Sequence, residues 1–230
     1  MHDAVGAKTL DIMAGAKNYN RWLFDQIRPW LASPVAEVGA GTGTFTKMIS
    51  DLGLAVTAID YNHQYLKVIE KNHLGISTLE MNLEKPWPQA LRDKFSSVIA
   101  LNVIEHIANA SQALANIFAM LRPSGRVIIL VPAHRWAYGA LDKNLGHVCR
   151  YTKIGLKNLL EQSGFKVINM RYINPLGLIG WWLTGKIFNQ KQIKSSQIKL
   201  FDYLSKPILL LEKYIPMPFG LSIFCIAQKV

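Results

Sequence analysis

The stretch VAEVGAGTGTF, Val35–Phe45, places glycines at 39, 41 and 43, directly behind Glu37. Glycine enters left-handed backbone conformations without penalty and lets another molecule come close to the main chain, but it weakens helices and strands. Three at alternate positions therefore point to a ligand. Val35–Val38 reads as a strand, and TFTKMISDLG after the glycines has helical spacing. The loop thus joins a strand to a helix N-terminus, where free N–H groups and the helix dipole favour an anionic group.

Working outward, short apolar runs alternate with helix-period segments, the pattern of a parallel sheet covered on both faces. Strands are predicted near Val35–Val38, Ala55–Ile59, Ile76–Met81, Ser97–Leu101, Arg126–Val131, Lys166–Tyr172 and Leu221–Gln228. Ser111–Leu121 is predicted helical up to the breaker RPSGR, and Thr152 caps a helix through KIGLKNLLEQ. The 230 residues, 50% of them hydrophobic, suit one α/β domain, residues 1–230. Its parts are an N-terminal helical cover, 1–33, and an insertion, 174–219, between the last two strands.

Twenty-six Lys and Arg against 15 Asp and Glu give a formal charge of +11, which favours acidic partners without choosing among them. Cys149 and Cys225 are the only cysteines, so neither a disulfide framework nor a zinc site is legible, and free thiols in a reducing compartment are expected. The N-terminus lacks a basic segment followed by an apolar run, which makes a cytoplasmic location the expectation.

Asp60 ends the second predicted strand, 17 residues after Gly43, where a carboxylate accepts hydrogen bonds from both ribose hydroxyls in dinucleotide-binding folds. Loop and carboxylate together describe an adenosine-type ligand. A dinucleotide fold spaces its glycines as GxGxxG, whereas here the pattern is Glu37-x-Gly39-x-Gly41-x-Gly43. With Asp60 and ALNVIEHI at the end of the fourth strand, this pattern resembles the class I S-adenosylmethionine-dependent methyltransferases over about residues 18–172, and again at the terminal strand.

The resemblance implies a Rossmann-like, seven-stranded, mostly parallel sheet whose last strand is antiparallel. It implies S-adenosylmethionine as cofactor and S-adenosylhomocysteine as its product. Glu37, Gly39, Ala40, Gly41 and Gly43 would hold the methionyl end, Asp60 the ribose, and Tyr61 the adenine. Asn82 and Leu83 would also line the adenine pocket, Asn82 standing where the family commonly has Asp. Asn102 would line the cofactor pocket, and Glu105 and His106 would follow near the reaction centre, His106 towards the substrate. Some quinone-biosynthesis methyltransferases bind a metal through a Glu-His pair here, but Asn102 replaces their further upstream Glu, and no metal is expected. HRWAYGALDKNLGHVCRYTK, GWWLTGKIF, the C-terminal segment from Lys199 and NYNRWLFDQIRPWL look like a bacterial subgroup often associated with sugar transferases and cell-envelope polymers. The helix bearing Tyr19 and Trp22 would then cover the cofactor, or pack on the sheet as an ordinary amphipathic helix.

Methyl transfer from a sulfonium requires an aligned nucleophile, exclusion of water and, for a hydroxyl, a general base. Ligands in open α/β sheets sit beyond the carboxyl ends of the strands, and the segment after the fifth strand is dense in polar groups: His134, Arg135, Tyr138, Asp142, His147, Arg150 and Tyr151. An imidazole with a pKa of about 6.5 can take a proton at neutral pH. His147 is the first candidate for that base and His134 the second, with Arg135, Tyr138, Arg150 and Tyr151 towards the substrate.

Pro175–Phe188 is mostly apolar yet shorter than the ~20 residues of a membrane span. The insertion as a whole carries six lysines, 186, 191, 194, 199, 206 and 213, against Asp202 and Glu212, a balance of +4. A part-apolar, part-basic lid suits an amphiphilic anionic substrate, with peripheral membrane contact as the lesser alternative and packing of Trp181 and Trp182 on the sheet or a dimer partner as the structural one. The acceptor expected is therefore a small or lipid-linked glycan or aromatic molecule. Nucleic acid is not expected, because LNVIEH replaces the Asn/Asp-Pro-Pro-aromatic motif of many base-amino methyltransferases. An RNA methyltransferase, an NAD-dependent oxidoreductase and a non-catalytic cofactor-binding subunit are the alternatives.

Overall fold

A computed structural model describes the chain except Met1, Leu74, Trp87, Ile193 and residues 213–216, so the insertion's Lys213 lies outside the described residues. The elements run α1 (His2–Ala14), α2 (Lys17–Ile27), β1 (Val35–Val38), α3 (Thr44–Ser50), β2 (Val56–Asp60), α4 (His63–Asn72), β3 (Ser77–Glu80), β4 (Phe95–Leu101) and α5 (Ala110–Met120). They continue with β5 (Leu121–Pro132), α6 (Ala140–Leu145), α7 (Lys153–Gln162), β6 (Phe165–Ile173), α8 (Pro175–Trp182), α9 (Ser195–Leu211) and β7 (Ser222–Lys229). The strands form one sheet in the order β3-β2-β1-β4-β5-β7-β6. β7 runs antiparallel to both neighbours, while the other pairings are parallel.

Successive strand residues point to opposite faces, and both faces are covered. Val98, Ala100, Val127, Ile129 and Cys225 pack under α5 and α7 with Leu114, Ile117, Leu156 and Leu160. Their neighbours Ile99, Ile128, Leu130, Phe224 and Ile226 pack on the other face with Leu23, Phe24 and Ile27 of α2. This burial on both sides is why the strands read as continuous apolar runs. The largest boundary difference is in β5, which begins at Leu121, paired with Phe95. Its pairing resumes only at Arg126 with Ser97. The intervening Pro123 and Gly125 make a bulge that the sequence reading took for the whole turn.

The insertion has two parts. Asn174 caps α8 by accepting the Gly177 N–H at 2.8 Å, and the helix runs on through a wider turn, Leu183–Ile187. α9 lies along α2. Asp202 of α9 accepts the Tyr19 N–H at 2.8 Å and the Asn18 N–H at 3.2 Å, so it satisfies two amides at the start of α2 that have no partner within that helix. Among the described residues no helix is long and apolar enough to cross a membrane.

Candidate active site

All three glycines of the opening stretch are left-handed, at φ 68°, 53° and 87°. A Cβ on Gly39 would stand 2.3 Å from Val103 Cγ2, and one on Gly43 would stand 2.8 Å from Ile69 Cγ1. Conformation and space therefore both exclude side chains here. Three of the loop's amides are committed inside the fold: Ala40 N–H donates to Ile59 O, Gly41 N–H to Asp60 Oδ2 at 2.9 Å, and Gly43 N–H to Ala40 O. The loop is thus a tight turn closed onto the fold, with Val103, Leu10 and Ile69 packed on its three glycines, rather than the open anion nest expected from sequence. That suits a cofactor without phosphate.

Glu37 is buried at the end of β1, where Thr46 Oγ1 donates to its Oε2. Burial pushes its carboxyl up to about 8, despite the Thr46 hydrogen bond and with a contribution from nearby Asp60. Asp60, also buried, accepts the Asn62 N–H at 2.8 Å as well as the Gly41 N–H, which binds the end of β2 to the glycine loop. Tyr61 follows it at the surface, 68% exposed. Asn82 is exposed and accepts the Glu84 N–H, holding its own turn, while Leu83 is buried. Asn102 is left-handed, at φ 54°, with its N–H bonded to Leu130 O.

Tyr19 lies in the core against Phe201 and Trp22, and burial raises its phenol to about 12. The N-terminal side chain that reaches the glycine loop is Leu10 of α1, 3.1 Å from where a Gly41 Cβ would stand. The cover over the loop is therefore α1, and the helix with Tyr19 and Trp22 packs on the sheet.

A second cluster adjoins the first. After Val103, which packs on Gly39, a tight turn carries Glu105 and His106. His106 meets His147 edge to face, 4.7 Å between ring centres. His147 Nδ1 lies 2.8 Å from Asp142 Oδ1. Burial alone would raise the Asp142 carboxyl, but His147, Arg150 and the Gly139 N–H bring it down to about 2. An ionised carboxylate only accepts, so His147 donates to it from Nδ1, and Nε2 is the ring nitrogen outside that bond. Asp142 also accepts Arg150 Nε at 2.8 Å, Gly139 N–H at 2.9 Å and Trp181 Nε1 at 3.1 Å.

The other expected substrate residues divide. Tyr138 joins the cluster, its hydroxyl donating to His147 O at 2.8 Å, and Tyr151 donates to Ile104 O. Arg150 is 1% exposed and engaged by Asp142 and Ala133 O, so it organises the cluster instead of offering a two-pronged grip to a substrate. Arg135 is exposed. His134 lies apart, between Trp136 and Tyr172, its pKa lowered by burial and by Arg150. Sequence reasoning missed the part played by Asp142; the available signal was a carboxylate five residues before His147 with Gly146 between them. It also missed Trp181 as a partner of that carboxylate, a contact made across 39 residues.

Glu105 is fully buried, and both its carboxylate oxygens lack a hydrogen-bond partner among the described residues. Burial raises it to about 8, while burial followed by His147 lowers His106 to about 4. Although Asn102 in place of an upstream Glu argues from sequence against a metal, donor atoms of Glu105, His106 and His147 lie within 4.8 Å of one another.

Residues 19–169 match the methyltransferase domain family, and the chain belongs to it. The fold is that of solved S-adenosylmethionine-dependent methyltransferases. Among curated relatives, a ubiquinone biosynthesis O-methyltransferase of Bradyrhizobium diazoefficiens is 28% identical over 111 residues, 46% of this chain and 43% of that protein. A probable S-adenosylmethionine-dependent methyltransferase of Mycolicibacterium smegmatis is 29% identical over 136 residues, 58% of this chain and 52% of that protein. The chain spans about half the length of these curated relatives. A solved S-adenosylmethionine-dependent methyltransferase from Mesorhizobium loti shares the fold with a TM-score of 0.62 at 16% identity, over 90% of this chain and 98% of that one.

Proposed function

We infer that the protein transfers the methyl group of S-adenosylmethionine to a hydroxyl of a small or lipid-linked glycan or aromatic acceptor. The observation that carries this reading is the buried Asp142–His147 pair, whose imidazole meets the ring of His106, three residues after the Val103 that packs on the glycine loop. Asp142 fixes the tautomer, and His147 Nε2 takes the acceptor's proton as the new C–O bond forms and the sulfonium C–S bond breaks, leaving S-adenosylhomocysteine. The glycine backbone, Glu37 and Asp60 would hold the cofactor, and α1 excludes water above the loop. The O-methyltransferase named among the relatives supports oxygen as acceptor atom.

The test is calorimetric titration with S-adenosylhomocysteine and NAD, followed by transfer of labelled methyl from S-adenosylmethionine to polar and lipid extracts. Binding of the first ligand alone, with the label on an O-methyl ether, is expected. NAD binding, or label on nitrogen or carbon, would overturn the corresponding part of the reading.

The orphaned Glu105 carboxylate favours a second reading, in which Glu105, His106 and His147 would hold a divalent ion. Such an ion would supply Lewis-acid activation of the acceptor hydroxyl. Stoichiometric metal in the purified protein, with turnover abolished by a chelator, would select it over the free base.

A further inference from the structure

Beside the His147 cluster lies a cavity of about 550 Å³, lined by Tyr138, Gly139, Lys143, Asn144, Lys186 and Lys191 among others, and among the described residues no carboxylate belongs to its lining. It shares a wall with the reaction centre, since Gly139 N–H and Tyr138 Oη bond to Asp142 and to the His147 carbonyl. The basic balance of the insertion is concentrated here by the way its acids are used. Residues 175–199 contain four lysines and no acidic residue. Asp202 and Glu212 turn inward, to the start of α2 and to the Asn174 N–H.

An apolar face adjoins these lysines. Gly177, Leu178 and Gly185 form the buried side of α8 and its continuation. Ile179, Leu183 and Ile187, at helical spacing on the opposite side, are exposed together with Phe188, which is 65% exposed. The cavity thus adjoins the Asp142–His147 cluster through Tyr138 and Gly139, and it adjoins the apolar strip through Lys186, beside Ile187 on the same helical segment.

We propose that the Lys143–Lys186–Lys191 cavity seats the phosphate of an amphiphilic acceptor whose hydrocarbon chain lies along the Ile179–Leu183–Ile187 face. This rests on the methyltransferase reading and specifies its acceptor as an amphiphile that carries both an alkyl or prenyl phosphate and the hydroxyl to be methylated. Lys143 and Lys191, with Lys186, whose ammonium also donates to Trp136 O, complement the phosphate charge, and the strip removes chain methylenes from water. The phosphate end is thereby held next to His147.

The test uses dodecyl phosphate below its micellar concentration, titrated by calorimetry against the whole protein, with inorganic phosphate, dodecyl maltoside and phosphatidylglycerol vesicles in parallel. Saturable one-to-one binding is expected, falling tenfold or more in K143A/K186A/K191A and weakening as NaCl rises. Inorganic phosphate should compete weakly, and the neutral amphiphile should not bind. S-adenosylhomocysteine binding by the variant reports an intact fold. The salt dependence of the wild type is decisive without any variant.

Undiminished affinity in the folded variant, salt-insensitive affinity or equal binding of the maltoside would overturn the proposal. So would binding to the vesicles without saturable binding of the monomeric phosphate, which would mark the surface as a membrane-docking face. A wild type that binds dodecyl phosphate but not S-adenosylhomocysteine would remove the methyltransferase reading and leave the phosphate seat standing.

Discussion

Replacing Glu37 with Gln should alter how stability depends on pH. Burial holds the Glu37 carboxyl at about 8 in the fold, whereas an unfolded glutamate titrates near ~4.3. Between these values the native state keeps a proton that the unfolded state has lost, so stability is greatest below the unfolded pKa and falls as pH rises towards the folded one. The slope is about 1.4 kcal/mol per pH unit for one such group. The interval from pH 6.5 to 8 is the useful window. Glu212, at about 6, has largely titrated below it, Tyr19 and Cys225, at about 12, titrate above it, and His106, which unfolded titrates near ~6.5, contributes equally to both proteins. Glu105, also at about 8, is common to both proteins. Gln keeps the shape of Glu37 and an oxygen for the Thr46 hydroxyl but does not titrate. Across the window the wild type should lose about 1.5 kcal/mol relative to Glu37→Gln, after rounding near the folded pKa. With m of ~2–3 kcal/mol/M this is a relative shift of about 0.5–0.8 M in the urea midpoint. Urea titrations at four pH values across the window measure it. Parallel profiles for the two proteins would refute the reasoning, because they would mean that Glu37 is already ionised in the fold at neutral pH.

His147→Ala should leave S-adenosylhomocysteine affinity unchanged in calorimetry and lower turnover by ~10²-fold or more, the usual contribution of a general base. Asp142→Asn should also lower turnover while retaining cofactor binding, since Asn presents either an acceptor or a donor to Nδ1 and no longer imposes one tautomer; the pH–rate profile of the variant should move. Asp60→Ala removes the acceptor of the Gly41 and Asn62 amides and should weaken S-adenosylhomocysteine binding at least tenfold, about 1.4 kcal/mol. Asp202→Ala should cost about 1–3 kcal/mol in urea unfolding by leaving the Asn18 and Tyr19 amides unpaired, and Asn at that position should restore part of the loss.

The parts of the fold that were legible are those in which local pattern and environment agree. Strands buried on both faces read as apolar runs, and each predicted strand lies within a few residues of its place. The loop glycines announce themselves because no other residue adopts their backbone without strain. The polar cluster was legible only in part. His147 stood out as an imidazole at the right edge of the sheet, but its partner was one of several polar residues until the short helix α6 and Gly146 turned Asp142 back onto its ring. His134, the second candidate from the sequence, differs in the structure because Trp136 and Tyr172 enclose it and Asp142 pairs with His147 instead. Tyr19 shows the same limit, since an aromatic residue on an amphipathic helix gives no sign of whether it faces cofactor or core. Its place was decided by Asp202, 183 residues away in sequence.

That long-range contact ties the insertion to both parts of the proposed site. Through Asp202 it anchors the start of α2, directly after α1, whose Leu10 covers Gly41. Through Trp181 it contributes a hydrogen bond to the carboxylate that orients His147. The cover of the cofactor loop and the setting of the candidate base therefore depend on one segment, α8 to α9, packed against different elements at its two ends. A lid that only closed over an acceptor would need neither contact. A segment that supports both supplies a physical reason for a long, partly apolar insertion to be retained between two strands that a short loop could join: its buried side holds the two sites in register, which leaves its outer side, with the lysines and the apolar strip, to meet the acceptor.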